Sequence, residues 1–218
     1  MRPRRQLEKN ELRFHYRISW LFLNLVERVM FGFRVSGRDS IPRSGAVIIA
    51  SNHISYCDPP VVGSGVPREV YFLAKEELFR NRAFGWLIRQ YNAIGLRRSV
   101  GDVGAVKKAV ELLKQGKAVL MFPEGTRSLS GRLLKPKPGV GMIASLASAP
   151  VVPAYVTGSN CLGAAFLRKT RMAVRFGRPI EPSPDVLQGS GRPTRRDVYL
   201  RLSEEVMRRI AELAEEEA

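Results

Sequence analysis

The sequence predicts an α/β fold, a mixed and largely parallel sheet flanked by helices, on three observations. Six short apolar runs are spread along the chain, and segments with helical spacing lie between them. The runs are apolar at nearly every position instead of alternating, which is the composition of strands covered on both faces. A hydrophobic fraction of 44% against 26% charged residues gives the 218-residue chain enough apolar surface for one core.

The first element is a helix over residues 11–33. Phe14, Ile18, Leu21, Leu25, Val29 and Phe33 recur along one face, and Trp20, Phe22, Leu23, Val26, Met30 and Phe31 broaden it. Arg2, Arg4, Arg5, Lys9, Arg13, Arg17 and Arg28 flank that stripe, so residues 1–35 read as a basic amphipathic helix lying in an anionic membrane interface. Packing of the same face onto the sheet, as a core helix, is the alternative. The longest apolar stretch, residues 18–26, contains Asn24 and stops at Glu27, well short of the roughly 20 residues that span a bilayer.

Residues 36–218 are then the α/β domain. After the turn Ser36-Gly37-Arg38-Asp39, strands are expected at 46–50, 70–74, 93–96, 118–122, 151–156 and 172–176. Helices are expected at 76–91, 102–115 and 140–148, the second with Val103, Val106, Val110 and Leu113 on one face. Residues 181–194 are rich in Pro, Gly and Ser and form a surface connector. A last helix begins near Arg195, with Val198, Leu202, Val206, Ile210 and Leu213 along its buried face.

Thirty-six Lys and Arg against 20 Asp and Glu leave a charge of +16, which favours polyanionic partners: phospholipid headgroups, nucleic acid, coenzyme A or an acidic carrier protein. Cys57 and Cys161 lack metal-ligand spacing and follow no secretory signal, so a reduced, cytoplasm-facing setting is expected.

Chemistry gathers at strand ends. The run 46–50 leads into Ser51-Asn52-His53-Ile54-Ser55-Tyr56-Cys57-Asp58-Pro59-Pro60, and ligands of open α/β sheets sit beyond the carboxyl ends of strands. Asp58 before Pro59 reads as a helix N-cap, which folds the carboxylate back beside His53. An imidazole paired with a carboxylate suits general base work; a capping Asp58 beside a loop histidine is the plainer alternative. The run 118–122 ends in Pro123-Glu124-Gly125-Thr126-Arg127-Ser128, where Arg127 has the fork geometry to grip a phosphate or, equally, to lie solvated on a turn.

Taken together, Asn52-His53 with Asp58, the run from Phe122 to Ser128, and Val151-Val152-Pro153-Ala154 resemble the 1-acylglycerol-3-phosphate acyltransferase family in order and separation, over residues 41–180. The resemblance implies a glycerolipid acyltransferase-like fold and transfer of an acyl group from acyl-CoA or acyl-carrier protein to a lysophospholipid acceptor, with His53 and Asp58 as the catalytic pair. It implies substrate-binding roles for Lys75, Arg98, Glu124, Gly125, Thr126 and Arg127, and for Val152 and Pro153 as a hydrophobic wall near the acyl chain. Ile94 and Gly95, ahead of Arg98, depart from the family's commoner residues. No metal or redox cofactor is implied, and the expected location is the cytoplasmic face of the cell membrane, peripheral or monotopic. Glycerol-3-phosphate or another lysolipid is the alternative acceptor.

Four rivals weigh less. Cys57 as an acyl-enzyme nucleophile competes with its reading as a small packed hydrophobe. Gly63-Ser64-Gly65 lacks the spacing of a serine-hydrolase elbow, and Gly116-Lys117-Ala118 lacks that of a P-loop. A basic module binding nucleic acid or membrane would rest on charge alone, and no nucleic-acid signature with interleaved aromatics accompanies it.

Overall fold

A computed structural model describes residues 14–96, 103–167, 171–182 and 194–216. Its elements are α1 (Phe14–Phe31), β1 (Arg34–Ser36), β2 (Val47–Ser51), α2 (Asp58–Gly65), β3 (Val70–Lys75), α3 (Arg82–Gln90), β4 (Ala93–Leu96), α4 (Val103–Lys114), β5 (Ala118–Met121), α5 (Gly139–Ala147), β6 (Val151–Thr157), α6 (Leu162–Phe166), β7 (Ala173–Phe176) and α7 (Arg195–Glu215). The expected fold class is the one found, and each of the six expected strands is present.

The strands make one seven-stranded sheet in the order β1-β7-β6-β2-β5-β3-β4. From β6 to β4 all neighbours run parallel, whereas β7 is antiparallel to β6 and carries β1 beside it. The carboxyl ends of β2, β3, β4, β5 and β6 therefore share one rim. Alternate residues of the central strands feed two cores. Val47, Ile49, Leu120, Val152 and Val156 pack with Val61 and Val62 of α2 on one face. Ile48, Val119 and Val151 pack on the other with Leu112 and Leu113 of α4, Ile143 of α5, and Leu202, Val206 and Ile210 of α7. Burial on both faces is why the strand sequences show no alternation.

Two local features depart from expectation. β1 is three residues long, too short for its period to show, and the boundary expected between residues 35 and 36 falls inside it. The helix expected over 76–91 is broken into a 3₁₀ turn, Glu76–Phe79, and α3, because the chain folds back so tightly that a Cβ on Gly85 would lie 2.8 Å from the Phe79 carbonyl oxygen. The connector expected at 181–194 lies mostly outside the described residues, but Thr194 caps α7 through a reciprocal bond pair with Asp197.

In α1 the seam that meets the protein is polar. Trp20 Nε1 donates to the Val66 carbonyl at 3.2 Å, Asn24 Nδ2 to the Ser64 carbonyl at 3.0 Å, and Ser64 Oγ to Glu27 Oε2 at 2.5 Å. These bonds bind α1 to the last turn of α2. Burial pushes the Glu27 carboxyl up to about 7, against the opposing pull of the Ser64 hydroxyl. Ile18, Leu21, Phe22, Leu25 and Val29 are each more than half exposed on the other side. Phe33, expected in that stripe, lies past the end of α1 and is buried in the core. Among the described residues no helix is long and apolar enough to cross a membrane.

Candidate active site

At the end of β2 the main chain must leave the sheet without stranding its polar groups. Asn52 solves this with its side chain: Nδ2 donates to the Val156 carbonyl at 2.9 Å, and Oδ1 accepts from Val156 N–H at 2.7 Å. The amide imitates a further peptide in the ladder between β2 and β6, which releases the backbone to carry His53 over the rim.

His53 is then held from three directions. Its N–H donates to Glu124 Oε1 at 3.0 Å and its carbonyl accepts from Ser128 N–H at 2.7 Å, so the turn after β5 grips the main chain on both sides. The ring stacks on Phe122 with centroids 4.0 Å apart and planes 17° from parallel. Nδ1 lies 2.8 Å from Asp58 Oδ2. A carboxylate offers lone pairs, so the ring proton belongs on Nδ1 and Nε2 keeps its own lone pair, the state of a general base.

Asp58 is fully buried. Its Oδ2 also accepts the N–H groups of Ile54 and Ser55 at 2.7 and 2.8 Å, and its Oδ1 accepts Ser159 Oγ–H at 2.5 Å. The expected N-cap is absent: Asp58 is the first residue of α2, Cys57 is the cap residue, and no side chain caps the helix. A capping carboxylate needs N–H groups two or three residues on, but Pro60 has none and Val61 N–H donates to the Cys57 carbonyl at 3.1 Å. The carboxylate turns back to the loop that carries His53 instead.

The turn 123–128 brings the other polar groups to the same rim. Gly125 adopts a φ of +66°, and the side chain of Lys137 lies so close that a Cβ there would meet its Cδ at 2.9 Å. Thr126 is exposed, and the Arg127 guanidinium lies 3.5 Å from the centre of the Tyr56 ring, a cation-π contact that sets it beside the His53 loop. Glu124 is tied to the backbone on either side of it. It is 1% exposed, and its second oxygen accepts Leu134 N–H at 3.1 Å, so both oxygens are spent on holding backbone. Burial is the main influence on its carboxyl and raises its pKa, opposed by those two donors.

Val152 and Pro153 are both buried within β6. Val152 belongs to the core under α2, while Pro153 and Leu213 of α7 both crowd Gly177. Lys75 closes β3 at the same rim, its backbone paired with Leu96. Arg98 lies outside the described residues. Cys57 is half-buried against the core. Among the described residues no three His, Cys, Asp or Glu side chains converge as a metal site. Sequence reasoning missed Ser159 and the supporting job of Glu124. The signal for Ser159 was Gly158, whose φ of +75° turns the chain sharply at the end of β6.

Comparison with known proteins agrees with this architecture. Residues 32–157 match a family model described as Acyltransferase. A 1-acyl-sn-glycerol-3-phosphate acyltransferase of Bacillus subtilis is 30% identical over 159 residues, covering 72% of this chain and 78% of that one. The enzyme of the same name from Streptococcus pneumoniae is 32% identical over 148 residues, covering 66% of this chain, which spans only about half, 54%, of that relative. The crystal structure of the 1-acyl-sn-glycerophosphate (LPA) acyltransferase from Thermotoga maritima superposes with a TM-score of 0.65 at 28% identity, over 91% of this chain and 80% of that one.

Proposed function

The chain belongs to the acyltransferase family, and from that premise we propose that it transfers a fatty acyl group from an acyl thioester to the free hydroxyl of 1-acylglycerol-3-phosphate, giving phosphatidic acid. The observation that carries this reading is the 2.8 Å contact of His53 Nδ1 with the buried Asp58 carboxylate, at the rim where Arg127 also stands.

His53 Nε2 takes the acceptor's hydroxyl proton as the oxygen attacks the thioester carbonyl. A C–O bond forms, the carbonyl π electrons move to oxygen, and the tetrahedral oxyanion collapses by breaking the C–S bond. The thiolate leaves and recovers the proton from the imidazolium. Asp58 holds the ring in the Nδ1–H tautomer and stabilises the transient positive charge. Arg127, with Lys75 and Arg98, binds the acceptor phosphate and orients its hydroxyl. Gly125 and Thr126 supply backbone and hydroxyl groups to the same pocket, and acyl-CoA or acyl-carrier protein is a co-substrate with no further cofactor.

The exposed stripe Ile18, Leu21, Phe22, Leu25 and Val29 suits a helix lying in the membrane interface, apolar face down among the acyl chains. On this reading the enzyme works at the cytoplasmic face of the cell membrane, where its lipid acceptor and product reside and the charge of +16 favours anionic headgroups. The test is a panel of acceptors (lysophosphatidic acid, glycerol-3-phosphate and an unphosphorylated lysolipid) with acyl-CoA and acyl-carrier protein as donors, read by product mass. Phosphatidic acid from lysophosphatidic acid is the expected product; no acylated product from any pair overturns the assignment.

A further inference from the structure

The His53–Asp58 pair has a third member that arrives from the end of β6, the strand beside β2. β6 ends at Thr157, and Gly158 then turns back at φ +75°, so close to the segment leading into β7 that a Cβ there would lie 2.3 Å from the Arg171 carbonyl oxygen. That turn brings Ser159, 1% exposed, beneath the start of α2, where its hydroxyl donates to Asp58 Oδ1 at 2.5 Å. The two carboxylate oxygens are therefore divided between tasks. Oδ2 serves the base and its loop through His53, Ile54 and Ser55, while the bond described for Oδ1 is the one from Ser159.

We infer that Ser159 is a positioning residue for the reaction, acting through Asp58: its hydroxyl fixes the rotation of the carboxylate so that Oδ2 stays aimed at His53 Nδ1. This inference rests on the reading of His53 and Asp58 as the acid–base pair. A carboxylate anchored only through Oδ2 can pivot about that oxygen, and a small rotation lengthens the bond to the imidazole. A fixed Oδ1 removes that freedom. Burial excludes contact between Ser159 and substrate, so its influence on rate must pass through the carboxylate. The bond to a charged acceptor is also among the stronger hydrogen bonds a hydroxyl makes.

The experiment is a double-mutant cycle of Ser159→Ala with Asp58→Asn, measuring kcat and KM for lysophosphatidic acid in vesicles, with His53→Ala as a control. Ser159→Ala alone should lower kcat about tenfold or more with the acceptor KM unchanged. In the Asp58→Asn background the same change should cost less than about twofold, because residues that act as a unit are not additive. An equal loss in both backgrounds, or none in either, overturns the inference. Ser159→Cys keeps the size but offers only a weak S–H donor. It should repeat the pattern and decides the matter if the alanine variant fails to fold; full activity in Ser159→Cys also overturns the inference. If Asp58→Asn and His53→Ala themselves retain wild-type turnover, it is the underlying acid–base reading that falls instead.

Discussion

The proposed mechanism makes turnover depend on His53, and the surroundings of that residue say how replacement should read out. The ring is stacked on Phe122 at the rim rather than embedded in the core, so His53→Ala removes the base while emptying little packed volume. Turnover should fall by about 10²–10⁴-fold with the melting temperature nearly unchanged; activity near wild type in steady-state assays would sink the mechanism. Arg127 is predicted to act in binding. Arg127→Ala should raise the KM for a phosphorylated acceptor by about tenfold or more and leave an unphosphorylated one almost untouched, and an equal loss on both would contradict a phosphate contact. At this scale the approach of His53 and Asp58 was legible in the sequence, whereas the bonds that surround the pair were not. The spacing of His53 and Asp58 was legible because both lie in one loop. The N-cap reading failed because it weighed Asp58 and Pro59 without asking what Pro60 could donate. The role expected of Glu124 came from the likeness of its turn to the family's motif, whereas its burial under the His53 loop exists only once β5 lies beside β2.

Among the elements, α1 shows most clearly what periodicity can and cannot tell. The stripe from Ile18 to Val29 was visible, but its spacing is the same whether it faces a sheet or a membrane. What resolves the orientation is the opposite seam, where Trp20, Asn24 and Glu27 bond to α2 and leave the apolar face outward. Leu21→Glu with Leu25→Glu should thus abolish sedimentation with anionic vesicles while shifting the melting temperature by no more than about 2 °C; unchanged vesicle binding refutes the interfacial role. Glu27 makes the seam pH-dependent. Its carboxyl titrates near 7 in the fold against an ordinary 4.5, so the folded state favours the protonated form. That advantage is complete below pH 4.5 and is lost as the pH rises through 7, when a buried charge must be carried. Glu27→Gln, neutral throughout, should match wild type in acid and become more stable above pH 7, by on the order of 3 kcal/mol. Thermal melts across that range check this, and a gap that widens toward low pH would reverse the assignment.

For the molecule as a whole, the α/β class was legible because each central strand is apolar on both faces, a property of short stretches. Strand order was not: β7 and β1 run against the rest, and nothing in the sequences 173–176 or 34–36 encodes direction. That order decides which motifs meet, since it seats β6, β2 and β5 side by side. The bonds that complete the site consequently join residues 71, 101 and 104 positions apart: His53 with Glu124, Asp58 with Ser159, and Asn52 with Val156. Such contacts close large loops, whose entropy must be lost before the contact can repay it. Recovery of function should trail recovery of shape in time. After dilution from denaturant, helical signal in far-ultraviolet circular dichroism should return first and acyl transfer in the slowest resolved phase, and coincident recovery would show that the strands assemble together. A catalyst closed by such long loops spends its youth, in effect, as an inert protein, and any chaperone or membrane surface that holds β6 away from β2 would prolong that silence.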